Sequence, residues 1–174
     1  MLWSYPINCV LSYVYMTLYI CIWNGCPGVS NFLKRHLEEL LEDCQREGID
    51  DYVPYLNQLE VHPMCQQRET VGYCKELGIL VQAYSSLGSG QLLTNEKLTS
   101  IACKYEITVA QLLLLWALHK NIYIIPKSSR EEGLRSNYDV LNLSGCMGIS
   151  WGDMATLDAM DEDHHFCWNP VNIK

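Results

Sequence analysis

Four short polar groups along this chain are of types that could share one chemistry: Ser30-Asn31, Asn57-Gln58, Tyr84-Ser85 and Lys127-Ser128. Each lies in or beside a run of apolar, strand-prone residues. Hydroxyls, side-chain amides, one aromatic ring and one cation together suit a large planar ligand that carries phosphate groups. Ser, Asn and Gln can hold a carboxamide, an aromatic ring can stack on Tyr84, and phosphate oxygens suit Lys127 together with the free N–H groups of a following helix. Each group also has a plain structural reading. Ser30-Asn31 and Ser128-Ser129 read as helix caps, Asn57-Gln58 as a buried polar pair satisfying its neighbours, and Tyr84 as a core aromatic with its hydroxyl at the surface. Convergence on one face is what favours the ligand reading.

The elements that must position these groups follow from periodicity. Leu33, Leu37, Leu40, Leu41 and Cys44 recur at helical spacing, with Glu38, Glu39, Glu42 and Asp43 on the opposite face and Gly48 as the stop. Tyr55 to Val61 reads as a strand ended by His62-Pro63. A helix over 66–77 stops at Gly78, and a strand runs from Ile79 to Tyr84. Leu98, Ile101, Ala102 and Tyr105 form one face of the next helix. Thr108 and Gln111 have the spacing of a capping box that opens the very apolar Leu112–Leu118 helix. Ile122 to Ile125 is expected to be a short buried strand ending at Pro126. Ser128 or Ser129 is expected to cap a last helix that carries Glu131 and Glu132 in its first turn. A further strand is a candidate before Gly28. This alternation predicts an α/β fold with a parallel sheet and helices outside it, whose ligands gather at the carboxyl ends of the strands. A closed (β/α)8 barrel needs about 250 residues, and the 174 residues here supply roughly half of one.

Composition removes several function classes. A net charge of −8 argues against a broad electrostatic footprint on nucleic acid. The nine cysteines are odd in number and scattered, with no C-x-x-C, so neither a disulfide framework nor a zinc site is expected, and a reducing, cytoplasmic setting fits. There is no H-E-x-x-H, and no metal site is expected. The first 33 residues carry no side-chain charge, and Cys9 to Trp23 is strongly apolar. That stretch has the length for membrane contact, but it contains Ser, Thr and several tyrosines and lacks a basic flank. A membrane-associated form is therefore the alternative localisation. An extra buried element, or sequence that does not belong to the fold, is the other reading of residues 1–27.

Seven stretches carry a resemblance. GVSNF (28–32), NQLEVHP (57–63), AYSSLGSG (83–90), LLLLWAL (112–118), IPKSS (125–129), ATLDAM (155–160) and FCWNP (166–170) resemble, in order, the aldo-keto reductases. The resemblance runs from about Gly28 to the C-terminus. It implies a partial (β/α)8 TIM barrel, roughly the last four βα units, in a domain over 28–174 preceded by an unmatched apolar segment over 1–27. It implies a family reaction, the NADPH-dependent reduction of small-molecule aldehydes and ketones. By the same resemblance Ser30, Asn31 and Gln58 would hold the nicotinamide carboxamide and Tyr84 would stack on the ring. Ser85, Leu87 and Ser89 would line the pyrophosphate, Lys127 and Ser128 would meet the 2′-phosphate end, and Asn137 the adenine. Phe166, Cys167 and Trp168 would sit in a C-terminal loop over the substrate.

Departures from the family pattern set further expectations. The catalytic Asp, Tyr, Lys and His of the family come from the half with no counterpart here, so no catalytic residue is assigned and the chain is expected to be inactive as it stands. Gly133 occupies the position of a usual arginine on the 2′-phosphate, with Arg130 nearby, so NADP(H) binding is expected to be weak or absent. Ser136 stands where a carboxylate partner for the adenine is usual, and Gly145 to Ile149 looks inserted. Trp23 to Pro27 is a poor strand. A half barrel leaves two open sheet edges, a route to self-association. It also exposes Ile, Leu and Val side chains at about 1.5–3 kcal/mol each, against a net stability of about 5–15 kcal/mol. The alternatives to a reductase reading are a non-catalytic nucleotide-binding or interaction module and a truncated or mis-assembled gene product.

Overall fold

The computed structural model describes residues 27–49 and 52–172. Strand β1 (Gly28–Ser30) leads to helix α1 (Lys34–Arg46), β2 (Leu56–Glu60) to α2 (Arg68–Glu76), and β3 (Leu80–Tyr84) to a 3-10 segment (Gly88–Thr94) followed by α3 (Glu96–Lys104) and α4 (Val109–His119). Strand β4 (Tyr123–Ile124) precedes α5 (Glu131–Cys146) and α6 (Trp151–Asp158), with a last 3-10 turn at Pro170–Asn172. The strands form one parallel sheet in the order β1-β2-β3-β4. Sequential order with helical crossovers is the arrangement of consecutive βα units in a barrel.

The expected punctuation is present. Gly48 and Gly78 take the left-handed conformation just past α1 and α2, with φ of 71° and 74°, and backbone bonds from Ile49 to Cys44 and from Ile79 to Cys74 close both helix ends. At the start of α4 the Gln111 N–H donates to the Thr108 hydroxyl at 3.1 Å, and the Thr108 N–H donates to the Gln111 side chain at 3.0 Å. Leu112 to Ala117 are all buried. This helix is apolar all round because the sheet covers one side and α3 and α5 the others.

Two local expectations are corrected, the buried last strand and the serine cap. The first strand among the described residues is Gly28–Ser30 itself, paired with Leu56–Gln58, and the candidate strand before Gly28 falls, apart from Pro27, outside the described residues. Strand β1 is short because its last residue opens the turn in which Asn31 takes a φ of 59°. The last strand is not buried. Ile122 before it is covered, but Tyr123 is 53% and Ile125 43% exposed, because β4 forms the sheet edge and pairs only with β3 among the described residues. Neither Ser128 nor Ser129 caps α5. Its N-cap is Arg130, and the Ser128 hydroxyl instead closes a turn by accepting from the Arg130 N–H at 3.2 Å. Within the stretch that looks inserted, Gly145 and Cys146 form the last turn of α5, and Ile149 beyond them is buried.

The two faces of the sheet differ in kind. Val29, Asn57, Leu59, Val81 and Ala83 are buried against the helices. Leu56, Gln58, Leu80, Gln82 and Tyr84 point the other way and are half-buried. Period-two alternation thus places two leucines, two glutamines and a tyrosine on the open face. The expected cost of exposed Ile, Leu and Val is smaller for that reason. The Gln58 amide donates across the strands to Gln82 at 2.7 Å, a polar pair that water tolerates. Among the described residues no single helix is long and apolar enough to cross a membrane. The segment Cys9–Trp23, the poor-strand residues 23–26 and the suggested membrane contact lie outside the described residues.

Candidate functional site

The polar groups meet at the carboxyl ends of β1, β2 and β3. The Tyr84 hydroxyl donates to Asn31 Oδ1 at 3.0 Å. The Asn31 N–H and the Ser30 hydroxyl both donate to the Gln58 carbonyl, at 2.9 and 3.1 Å. The chain therefore holds Ser30, Asn31, Gln58 and Tyr84 in one connected cluster. Burial, and then the negative charge of Glu60, pushes the Tyr84 phenol up to about 12. A phenol at that value, already committed to an amide oxygen, is a poor proton donor near neutrality. Its half-buried ring is suited to packing. Asn57, adjacent in sequence, follows its plain reading instead: it is fully buried and its amide donates to the Phe32 carbonyl at 2.8 Å.

A groove of about 840 Å³ begins at Ser85, the residue after Tyr84, and runs along the ends of β3 and β4; Ser85, Leu87, Ser89, Lys127, Ser128, Asn137 and Cys167 all line it. Ser85 sits at φ 52° and Ser89 at φ 53°, and the Ser89 N–H donates to the Ser85 hydroxyl at 3.2 Å. The loop is wound tightly by these two left-handed residues. Lys127 is exposed and makes no ion pair among the described residues. Arg130 lines the groove too. Gly133 explains the altered helix start: a Cβ there would lie 2.3 Å from the Ser128 hydroxyl oxygen, so Ser128 uses the space a side chain at 133 would take. Gln111 ties α4 to α5 by donating to the Ser136 carbonyl at 3.2 Å.

The C-terminal loop reaches the same end of the sheet. Phe166 packs on Gly88 so closely that a Cβ on that glycine would lie 2.7 Å from its ring. The Phe166 ring also meets His62 at a centroid distance of 5.1 Å. Cys167 approaches the Ser89 hydroxyl at 3.7 Å. Trp168 is brought near this loop but is 47% exposed and does not line the groove.

Sequence reasoning missed the residue that fastens this loop. Glu60 is fully buried. Its carboxylate faces His62 Nε2 at 3.3 Å and His165 Nδ1 at 2.8 Å, and it accepts from the backbone N–H groups of Phe166 and Cys167 at 2.9 and 3.1 Å. Burial pushes this carboxyl up, but the bonds from His62, His165 and Phe166 prevail and hold it below the ordinary carboxylate value. The visible signal was Glu60-Val61-His62, two polar residues two apart and so on one side of an extended chain. The partners more than one hundred residues away were not visible. Gln82, the cross-strand partner of Gln58, was missed for the same reason.

Known proteins agree with this geometry. The model of the Aldo/keto reductase family matches residues 25–147. Glyoxal reductase of Bacillus subtilis is 42% identical over 146 residues, which cover 84% of this chain and 49% of that protein. An uncharacterised oxidoreductase of Schizosaccharomyces pombe is 38% identical over 143 residues, 82% of this chain and 49% of its own length. The chain thus spans about half the length of the curated relatives it matches. Among solved structures, apo Gox0644 superimposes with a TM-score of 0.74 at 32% identity, over 84% of this chain and 51% of that one. A mutant of Gox0644 in complex with NADPH gives 0.73 at the same identity and coverage. The described parallel sheet with its outer helices is a partial (β/α)8 barrel. With ordered motifs, sheet topology and family match in accord, this chain belongs to the aldo/keto reductase family.

Proposed function

We propose that this chain is the cofactor-facing part of an aldo-keto reductase barrel, binding NADP(H) weakly and reducing no carbonyl on its own. The observation that carries the reading is the Tyr84–Asn31 hydrogen bond at 3.0 Å, next along the chain to Ser85 of the groove that Lys127, Ser128 and Asn137 also line. The donor set fits the cofactor. The side-chain N–H groups of Asn31 and the side-chain carbonyl of Gln58 have no partner among the described residues, as a carboxamide requires. The Tyr84 ring offers an apolar face beside them. Lys127 supplies the cation a phosphate end needs. When bound, a nicotinamide supplies hydride. This chain's residues bind and orient that group and shape the groove with the tight Ser85–Gly90 loop.

The proton for a reduced carbonyl has no evident source in the described strand ends. Tyr84 is held near 12 by burial and by Glu60, and Glu60 is enclosed by histidines and backbone N–H groups. Reduction of a small carbonyl compound, the class that the name of the Bacillus relative indicates, is assigned only to a complete barrel. The weakness of cofactor binding follows from Gly133, where no side chain reaches the groove. Titration with NADPH up to millimolar concentration tests the first part. We expect a saturable change in cofactor fluorescence and a rise in melting temperature, both reduced in Lys127→Ala. No change in either signal would sink cofactor binding. The second part is tested by NADPH oxidation with an aromatic aldehyde. We expect no turnover, and turnover that Tyr84→Ala abolishes would overturn it.

A further inference from the structure

We propose that Cys65, Asp163 and His165 form a binding site for a zinc-class divalent cation, which latches the C-terminal loop onto the connection between β2 and α2. His165 Nε2 lies 3.5 Å from Cys65 Sγ and 3.6 Å from Asp163 Oδ1, and the three ligand atoms all fall within 4.8 Å of one another. Zinc takes sulfur at about 2.3 Å and imidazole nitrogen or carboxylate oxygen at about 2.0–2.2 Å in a tetrahedron. Those bond lengths put a ligating sulfur and nitrogen about 3.5 Å apart, and a nitrogen and oxygen about 3.4 Å apart. The separations here match those edges. The nitrogen-to-carboxylate distance is also beyond the range of a good hydrogen bond, so a simple imidazole–carboxylate bond does not account for the arrangement.

A second observation concerns the far side of the ring. His165 Nδ1 lies 2.8 Å from Glu60 Oε2, and an ionised carboxylate there accepts a hydrogen bond from the Nδ1–H, which leaves the lone pair on Nε2, the nitrogen toward Cys65 and Asp163. A buried carboxylate behind a metal-binding histidine is the arrangement that sets its tautomer and orientation. Exposure is graded across the cluster. Cys65 is fully buried, the His165 side chain is 8% exposed and that of Asp163 is 75% exposed. A cavity of about 440 Å³, lined by both Asp163 and His165, opens beside them. It offers an entry path and room for a water as fourth ligand. The nearby cations are already matched: Arg68 pairs with Asp161 at 2.8 Å and Lys34 with Glu69 at 3.4 Å. One thiol, one imidazole and one carboxylate select a borderline-soft ion over calcium or magnesium, which prefer oxygen alone. Scattered sequence positions hid the set: Cys65 and His165 are one hundred residues apart.

The cation would secure Asp163 and His165, and with them the following Phe166-Cys167-Trp168 loop. The test is titration of the full chain, freed of metal by a chelator, with Co²⁺ and then Zn²⁺. We expect one Co²⁺ per chain, a thiolate-to-cobalt charge-transfer absorption, and its displacement by Zn²⁺. Cys65→Ser should lose that absorption. Asp163→Asn, a surface change that leaves the core untouched, should keep it but bind at least about tenfold more weakly, and Glu60→Gln should weaken binding by about 10–100-fold through the orientation of His165. The proposal is overturned by the lack of a thiolate band in the parent, by a band that survives Cys65→Ser, or by parental affinity in Asp163→Asn. If Cys65→Ser does not fold, Asp163→Asn decides the matter alone. None of these readouts depends on NADPH, so failure here and failure of cofactor binding are separate results.

Discussion

Glu60 is the residue on which most of the described site depends, yet its own stretch showed only that it shares a side with His62. It sits in β2 beside Tyr84 of β3, accepts two backbone N–H groups of the C-terminal loop and faces two histidines. Removing one partner of such a buried charged network leaves the others unpaired, at about 3–5 kcal/mol. Glu60→Ala should therefore shift the urea unfolding midpoint down by a corresponding amount and make the chain after Asp163 sensitive to brief proteolysis. A midpoint within about 1 kcal/mol of the parent's would mean that the carboxylate is not the anchor described. The residues that were legible beforehand, Ser30, Asn31, Gln58 and Tyr84, are those whose neighbours in sequence are strand residues ending in a turn. Their position at strand ends follows from local pattern, while their hydrogen bonds to one another do not.

At the scale of elements, two helix junctions carry distinct expectations. The start of α5 is built around the space at Gly133, filled by the Ser128 hydroxyl. Gly133→Ala gains about 1 kcal/mol of helix propensity but must displace Ser128, an overpacking of about 1–3 kcal/mol. In a Ser128→Ala background the clash with the hydroxyl is gone. A double-mutant cycle by thermal unfolding should then show Gly133→Ala more favourable in that background by about 1 kcal/mol or more. Strict additivity would contradict the close approach. The junction of α3 with α6 is electrostatic. Asp153 accepts from Lys104, Tyr105 and Ser150 at 2.6, 2.7 and 2.9 Å, which holds its carboxyl at about 2, below the ordinary 3.8. A group depressed on folding stabilises above its unfolded value and loses that contribution as pH falls through the folded one. Asp153→Asn should lower the melting temperature at neutral pH. Its difference from the parent should shrink below about pH 3.8 and vanish only below about pH 2. A difference constant across that window would rule out the carboxylate as the cause.

At the scale of the whole molecule, the edges of the described sheet set the expectation. Strand β4 is two residues long, with Tyr123 in it and Ile125 just after it about half exposed, and β1 forms the other edge of the described sheet. Unpaired edges of a parallel sheet are templates for a further strand. The chain should self-associate as its concentration rises, read as an increasing sedimentation coefficient, and Ile125→Lys should reduce that rise by placing a charge on the edge. A coefficient that is flat with concentration would show that the edges are covered. The open face is less hostile to water than strand composition suggests, since Gln58, Gln82 and Tyr84 share it with Leu56 and Leu80.

The sequence alone determined the alternation of strands and helices, the stops at Gly48 and Gly78, the capping box at Thr108 and the family, because each rests on neighbours within a few residues or on a string of local motifs. Its local pattern could not decide that GVS is itself a strand, that β4 is an exposed edge, or that Ser128 leans into the space at Gly133, since each depends on what lies alongside. Only the tertiary structure brought Glu60 to His165 and Cys65 to Asp163. Those contacts join chain segments about a hundred residues apart, and their energies come from burial and charge shared between elements, which no single stretch of sequence contains.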